Sequence, residues 1–195
     1  DIPEIAQAPQ QILLLQDFDV SANGLPVEPG MMERMQGREG DLITVSGRRN
    51  PDLAIQKDGW LRLRIINGSP SRFYRLQISE HSLHQIASDG GALPTVQERD
   101  EVLLAPGERV EVMVRGNRDP GTYRLMNLPY DRGRMGMMGM GSSRVAGPMQ
   151  LASLVYTGEA EATWDLPQSL ATVDALPEPS VVRSFRLGES MMSFT

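Results

Sequence analysis

Residues 60–115 contain several short runs in which apolar and polar side chains alternate, and a turn signal closes each run. Leucine and isoleucine alternate with arginine over residues 61–65, and residues 74–78 repeat the pattern with tyrosine, leucine and isoleucine. A period of two is typical of a strand that has one buried face and one wet face. The stretch therefore predicts paired β-strands and limits the chain to folds built from sheets.

Turn residues separate these runs and give the predicted fold its outline. Asn23-Gly24 and residues 67–70 (NGSP) are strong turn signals, and Pro106-Gly107 fits a type II turn. Alternating or apolar runs also occur at residues 12–20, 42–45, 83–87, 102–104, 110–114, 122–126 and 151–156. With the runs at 61–65 and 74–78, they indicate about nine short strands and no long helix. This pattern predicts an all-β fold, a Greek-key β-sandwich or barrel.

The remaining segments lack strand alternation. Residues 25–40 predict an irregular connection with a short turn of helix. We interpret residues 1–10 as an N-terminal linker, residues 11–157 as the domain, and residues 158–195 as an extended linker that Trp164 pins to the domain. Within the domain, residues 132–148 (RGRMGMMGMGSSRVAGP) predict a mobile loop rich in glycine and methionine.

Charge and composition exclude several function classes. The net charge of −6 argues against a nucleic-acid surface, and no apolar run approaches the roughly 18 residues of a membrane span. The chain has no cysteine, so disulfides, thiolate metal sites and cysteine nucleophiles are excluded. Both ends interrupt the pattern abruptly, so we expect a fragment of a longer protein, whether natural or engineered.

Three motifs in order, "WLRLRIINGS", "IASDGGAL" and "LLAPGERVEVMV", resemble the middle domain of a bacterial three-domain multicopper oxidase of the laccase-like or cuprous-oxidase-like kind. The resemblance covers residues 11–158 and includes the strand and turn at residues 42–47, where Ser46 replaces the family's usual asparagine. It implies a cupredoxin-like sandwich that acts as a spacer between a first and a third domain. Those domains would hold the copper that couples one-electron substrate oxidation to the reduction of dioxygen to water. The resemblance also implies a periplasmic or extracellular location.

The ligand inventory argues that this chain itself holds no blue copper and no trinuclear cluster. A blue copper centre needs a cysteine thiolate with two histidines, and the family's cluster uses paired His-X-His motifs. The only histidines are His81 and His84, whose spacing places them on opposite faces of a strand. We therefore interpret both as surface or half-buried polar residues, with a two-histidine metal site as the alternative. We assign no catalytic or cofactor-binding residue and predict that the isolated chain is inactive.

A methionine cluster offers the better metal hypothesis. Met135, Met137, Met138 and Met140 provide thioethers, which are soft ligands that suit Cu(I). The favoured alternative is an unstructured loop, or methionine that fills an irregular gap.

Other patterns carry less chemistry. The acidic residues at 98, 100 and 101 predict a solvated loop, and no nucleophile-elbow pattern surrounds Ser79. Alternation places most of the arginines at positions 62, 64, 72 and 75 on a wet strand face.

Three functions remain. The first is a non-catalytic scaffold domain of a multicopper oxidase. The second is a domain of a copper-free protein of the same fold with a structural role, such as the bacterial cell-division protein of this fold. The third is an unrelated β-sandwich binding module. For the isolated domain we also expect self-association through exposed apolar patches.

Overall fold

The computed structural model describes residues 2–131, 147–172, 176–186, 189–190 and 193–194, and within them nearly all regular structure is β. This confirms the predicted all-β class. Two short helices are present, α1 (Pro3–Gln7) and α2 (Met31–Gln36). The strands are β1 (Gln10–Phe18), β2 (Leu42–Val45), β3 (Asp52–Lys57), β4 (Trp60–Asn67), β5 (Tyr74–Ile78), β6 (Leu83–Ser88), β7 (Gly91–Arg99), β8 (Val102–Leu104), β9 (Arg109–Arg115), β10 (Thr122–Leu128), β11 (Met149–Glu159), β12 (Glu189–Ser190) and β13 (Ser193–Phe194).

The strands form two large sheets that pack face to face. One sheet has the order β2-β1-β4-β9-β6-β7 and the other has the order β3-β11-β10-β5-β8, while β12 and β13 pair with each other. The pairs β1/β4 and β3/β11 are parallel and the other pairs are antiparallel. Neighbours in a sheet are often distant in sequence, so the chain crosses between the sheets, as the predicted β-sandwich requires.

The alternation in β4 correctly identifies the face that enters the core. Leu61, Leu63 and Ile65 are buried between the sheets, where they share one cluster with Tyr74 and Leu76 of β5. Burial of each such aliphatic side chain contributes about 1.5–3 kcal/mol relative to exposure. The hydrophobic period seen in the sequence is therefore the main determinant of how the two sheets meet.

The opposite face of the six-stranded sheet is covered as well. Residues 2–8, which include α1, and residues 164–170 pack on it and form what we call the outer cap. Ile5 of the cap is buried against Trp60 and Met113, and Trp164 packs there too, as predicted. The N-terminal segment thus differs from a linker without structure, because its two isoleucines find an apolar surface on the sheet.

Four of the described strands, β3, β7, β12 and β13, have no counterpart in the sequence prediction. β7 contains Pro94, which cannot donate a ladder hydrogen bond and therefore argues against a strand. Proline is tolerated at an edge, and β7 is the outermost strand of its sheet. The outer cap continues this edge, because the Leu170 N–H donates to the Pro94 carbonyl at 2.9 Å.

The connections agree with the turn signals. Glu108 N–H donates to the Ala105 carbonyl at 3.1 Å and Gly107 has a φ of 85°, which confirms the type II turn at Pro106-Gly107. The short helix predicted within residues 25–40 is α2. Among the described residues, no helix is long and apolar enough to cross a membrane.

Gly40 lies where the chain leaves the α2 region and meets β1. A Cβ atom at this position would lie 2.3 Å from the carbonyl carbon of Phe18, a backbone atom that cannot move aside cheaply. We expect Gly40→Ala to lower the free energy of unfolding by about 1–3 kcal/mol or more, as overpacking does. Gly90→Ala is the matched control, because a Cβ there meets nothing within 4 Å, and its effect should stay within about 0.5 kcal/mol. Equal denaturation midpoints for the two variants would contradict the assignment.

Candidate functional site

The two histidines lie in separate aromatic clusters. His81 follows β5, and its ring packs edge-on against Tyr123 at 4.7 Å between ring centroids. The His84 ring on β6 packs edge-on against Trp60 of β4 at 5.2 Å. The two rings are therefore separated, although His81 lies before β6 and not on a strand shared with His84, as the spacing argument assumes.

Both ring nitrogens of His81 have partners. Nδ1 lies 2.8 Å from the Ser79 carbonyl, which only accepts, so Nδ1 carries the proton. Nε2 lies 2.9 Å from the Tyr156 hydroxyl and is the acceptor of that bond in the neutral ring. Burial lowers the pKa of His81 below its ordinary value, which favours the neutral ring. The His81 side chain is thus a satisfied core group.

His84 belongs to the contacts that hold the outer cap. Burial lowers its pKa, with Glu98 acting in the opposite direction. The neighbouring Trp60 indole N–H donates to the Trp164 carbonyl at 2.8 Å, and the Arg115 guanidinium donates to the same carbonyl at 2.8 Å. That guanidinium also lies 5.1 Å from the Trp60 ring centroid, in cation–π geometry. One carbonyl and one indole therefore fix the position of residues 164–170.

The prediction that most of the arginines decorate a wet face is wrong for two of the four. Arg62 is buried beneath the outer cap, and its Nε donates to Glu111 at 2.9 Å. Arg72 is buried at the end of the sandwich, where it donates to Asp17 Oδ2 at 3.2 Å and to the Gly40 carbonyl at 2.8 Å. A buried charge is costly unless it is paired and hydrogen-bonded, and these contacts meet that condition.

The two remaining arginines are more exposed and also have acidic partners. Arg64 donates to Glu111 at 2.8 Å. Arg75 donates to Glu101 at 2.8 Å, so one member of the predicted solvated acidic run holds an ion pair. The hydrogen bond to Glu101 raises the pKa of Arg75. These pairs belong to the surface of the sandwich.

A cleft of about 400 Å³ opens between the outer cap and the sheet. Its apolar walls include Ile5, Ile86 and Leu170, and its charged floor is the Arg62–Glu111 pair. Glu111 also accepts from Arg64, so two guanidinium groups share this one carboxylate. The cleft therefore combines apolar walls with a charged floor.

Copper of the blue or trinuclear kind does not fit the donors of this chain. The sequence has no cysteine, and both His81 nitrogens are engaged by protein groups. In the part of the chain that the structure describes, no cluster of three or more histidine, cysteine, aspartate or glutamate residues could hold a metal ion. The predicted Cu(I) ligands Met135, Met137, Met138 and Met140 lie outside the described residues.

Comparisons with known proteins agree with this architecture. The family profile described as Multicopper oxidase matches residues 14–159. Among solved structures, a multicopper oxidase from Campylobacter jejuni described as a metallo-oxidase is similar with a TM-score of 0.77 and 23% identity, over 91% of this chain and 35% of that chain. McoA multicopper oxidase from Aquifex aeolicus is similar with a TM-score of 0.71 and 25% identity, over 89% of this chain and 37% of that chain. The cupredoxin-like fold implied by the sequence motifs is confirmed.

Curated relatives carry a different description. Cell division protein FtsP of Pectobacterium atrosepticum is 31% identical over 185 residues, which is 92% of this chain and 38% of the relative. The protein of the same name from Salmonella typhimurium is 39% identical over 105 residues, which is 52% of this chain and 21% of the relative. The chain thus spans well under half the length of the curated relatives that it matches.

The buried His81 makes stability depend on pH. Its pKa is lowered in the folded state, so folding is fully favoured above the unfolded pKa of about 6.5 and weakens as the pH falls below it. We expect His81→Gln to flatten the decline in unfolding free energy measured by chemical denaturation between pH 7 and pH 5. His84→Gln should remove the part of the pH dependence that comes from His84, so only the double variant should lose the contributions of both histidines. An unchanged slope in His81→Gln would contradict a buried neutral ring.

Proposed function

The chain belongs to the multicopper oxidase family, and on that premise we propose that it is the middle, non-catalytic scaffold domain of a larger protein of this fold. The observation that carries the proposal is the combination of a family match over residues 14–159 with a chain that has no cysteine. Because a blue copper centre requires a thiolate, this domain would contribute structure and docking surface while other domains hold any copper.

The proposed domain boundaries follow the sandwich. Residues 11–157 form the cupredoxin-like unit, with residues 132–148 as a methionine-rich loop, and residues 1–10 and 158–195 connect it to flanking first and third domains. The outer cap supports this arrangement in one respect. Its two pieces anchor both connecting segments to one face of the sheet, which would fix the directions in which the neighbouring domains are held.

For the parent protein we favour a copper-dependent oxidase of the laccase or cuprous-oxidase type. It would take single electrons from its substrate and reduce dioxygen to water with copper bound outside this chain. The similarity to solved oxidases and the methionine-rich segment support this choice. We further propose a periplasmic or extracellular location, on the resemblance to that family.

A copper-free parent with a structural role is the second candidate. The cell-division relatives, at 31% and 39% identity, favour it. The two candidates differ in the metal content of the full-length protein. Copper bound in stoichiometric amount, with oxygen consumption in the presence of a reducing substrate, would support the oxidase, whereas a full-length protein that takes up no copper would support the structural role.

The isolated chain should show no blue copper. We expect titration with Cu(II) to produce no intense thiolate-to-copper absorption band, because the sequence supplies no thiolate. Stoichiometric blue copper in the purified chain would overturn the scaffold assignment.

Under the same proposal, the methionine loop binds Cu(I) through its thioethers. Competition against a Cu(I) chelator should show uptake that is lost when Met135, Met137, Met138 and Met140 are all replaced by leucine. The matched control replaces the exposed Met31, which lies far from this loop in sequence. Uptake that is unaffected by the fourfold variant would remove the loop from the proposal.

The isolated chain should also self-associate. Residues 19–31, here called the apolar arm, expose Leu25 (65%), Val27 (47%) and Met31 (80%) to solvent. Static light scattering over a concentration series should show a dimer or larger species, and Leu25→Ser with Val27→Ser should shift it toward the monomer. Leu176→Ser is the control, because this leucine is equally apolar but lies outside the arm. A clean monomer at high concentration would contradict the prediction.

A further inference from the structure

Tyr156 and His81 form a hydrogen-bonded pair that the scaffold role does not require. Tyr156 lies on β11 and His81 lies between β5 and β6. The two residues are 75 positions apart in sequence. The Tyr156 hydroxyl nevertheless lies 2.9 Å from His81 Nε2. The fold thus brings a phenol and an imidazole base into direct contact.

The neighbouring hydrogen bonds fix where the protons are. His81 Nδ1 donates to the Ser79 carbonyl at 2.8 Å, which leaves the Nε2 lone pair facing Tyr156. The backbone N–H of Arg118 donates to the Tyr156 oxygen at 3.0 Å, so that oxygen already accepts one bond. Its own hydrogen is therefore directed at Nε2. Burial raises the pKa of Tyr156, so the proton stays on the reduced phenol and lies on a direct path to the imidazole.

Among the described residues, Arg118 and Glu80 act on His81 with opposite signs. Tyr123 and Asp58 raise the pKa of Tyr156, and Arg118 lowers it. Burial of the imidazole favours its neutral form, so the base is free to accept a proton at neutral pH. Tyr156 itself is only half-buried, which leaves the phenol accessible for electron transfer from the surface.

We propose that Tyr156 and His81 form a redox site in which oxidation of the phenol is coupled to proton transfer. Tyr156 gives one electron to a one-electron metal-complex oxidant, and its phenolic O–H bond breaks as the proton moves to Nε2. The products are a neutral tyrosyl radical, a His81 imidazolium that still donates from Nδ1 to Ser79, and the oxidant reduced by one electron. Since it depends only on described residues of this chain, the site goes beyond the scaffold function and is independent of it.

Tyr123 provides a comparison within the same cluster. Its ring lies 5.6 Å from the Tyr156 ring and 4.7 Å from the His81 ring. Its hydroxyl, however, donates to the Asp119 carbonyl at 3.0 Å, and a carbonyl of this kind does not take up the proton. The two phenols thus share their surroundings and differ in the basicity of their hydrogen-bond partner.

The test uses the 195-residue chain with the exposed Tyr130 replaced by phenylalanine. A photogenerated ruthenium(III) polypyridyl complex serves as the oxidant, and the tyrosyl radical is followed by transient absorption and electron paramagnetic resonance. We expect Tyr156→Phe to abolish most of the radical signal and Tyr123→Phe to preserve it. A positioned base accelerates proton transfer by about 100-fold or more, so His81→Gln should slow radical formation by about that factor.

Glutamine at position 81 can accept the hydrogen bond but cannot take the proton, so it separates the two roles. In the unmodified pair, the rate should be lower in D₂O and should fall as the pH drops through the pKa of His81. These two measurements need no substitution and decide the question even where a variant fails to fold. A radical that forms at the same rate in His81→Gln, or a rate without an isotope or pH effect, would overturn the proposal.

Discussion

Burial of both faces of β4 is the constraint on which the rest of the structure depends. This strand pairs with β1 on one side and β9 on the other, and six of its eight residues are buried. Leu61, Leu63 and Ile65 face the second sheet, while Trp60 and Arg62 face the outer cap. A strand in this position needs a cover on each side, and two segments that lack a strand pattern supply the outer one. At its centre, the six-stranded sheet is therefore the middle of three layers, between the second sheet and the outer cap.

The buried ion pairs follow from that arrangement. Arg62 and Glu111 lie under the cap, and Arg72 reaches Asp17 at the end of the sandwich. Removing two charges from water costs several kcal/mol, which their attraction offsets only when the geometry is good. Such pairs are therefore weak evidence for stability. We regard them as contacts that fix how the segments they join are aligned. Asp17 Oδ1 is buried and has no hydrogen-bond partner among the described residues, so the compensation within them is incomplete there.

Much of this fold could be predicted from the sequence, because a strand with one wet face leaves a period of two. Residues 61–65 and 74–78 were therefore placed correctly, and so was the turn at Pro106-Gly107. The sequence predicts that Trp164 packs on the domain, but it does not predict that its partner is Trp60, because the two lie about a hundred residues apart along the chain. Burial of Arg62 was missed for the same reason. The His81–Tyr156 contact leaves no local signal either, since 75 residues separate the two in sequence.

The outer cap has a consequence for how the chain is made. β1 cannot pair with β4 until some fifty further residues have been added, and residues 164–170 complete the outer cover of β4 only about a hundred residues after Trp60. During synthesis, residues 2–8 would be the only part of the outer cap available to Trp60 until residues 164–170 have left the ribosome. Domains dominated by such distant pairings fold slowly, and their intermediates expose apolar surface that is prone to aggregation. Residues 164–170 would then complete the outer cover late in the synthesis of this domain, and a chain that stalls before them would be a natural substrate for chaperones.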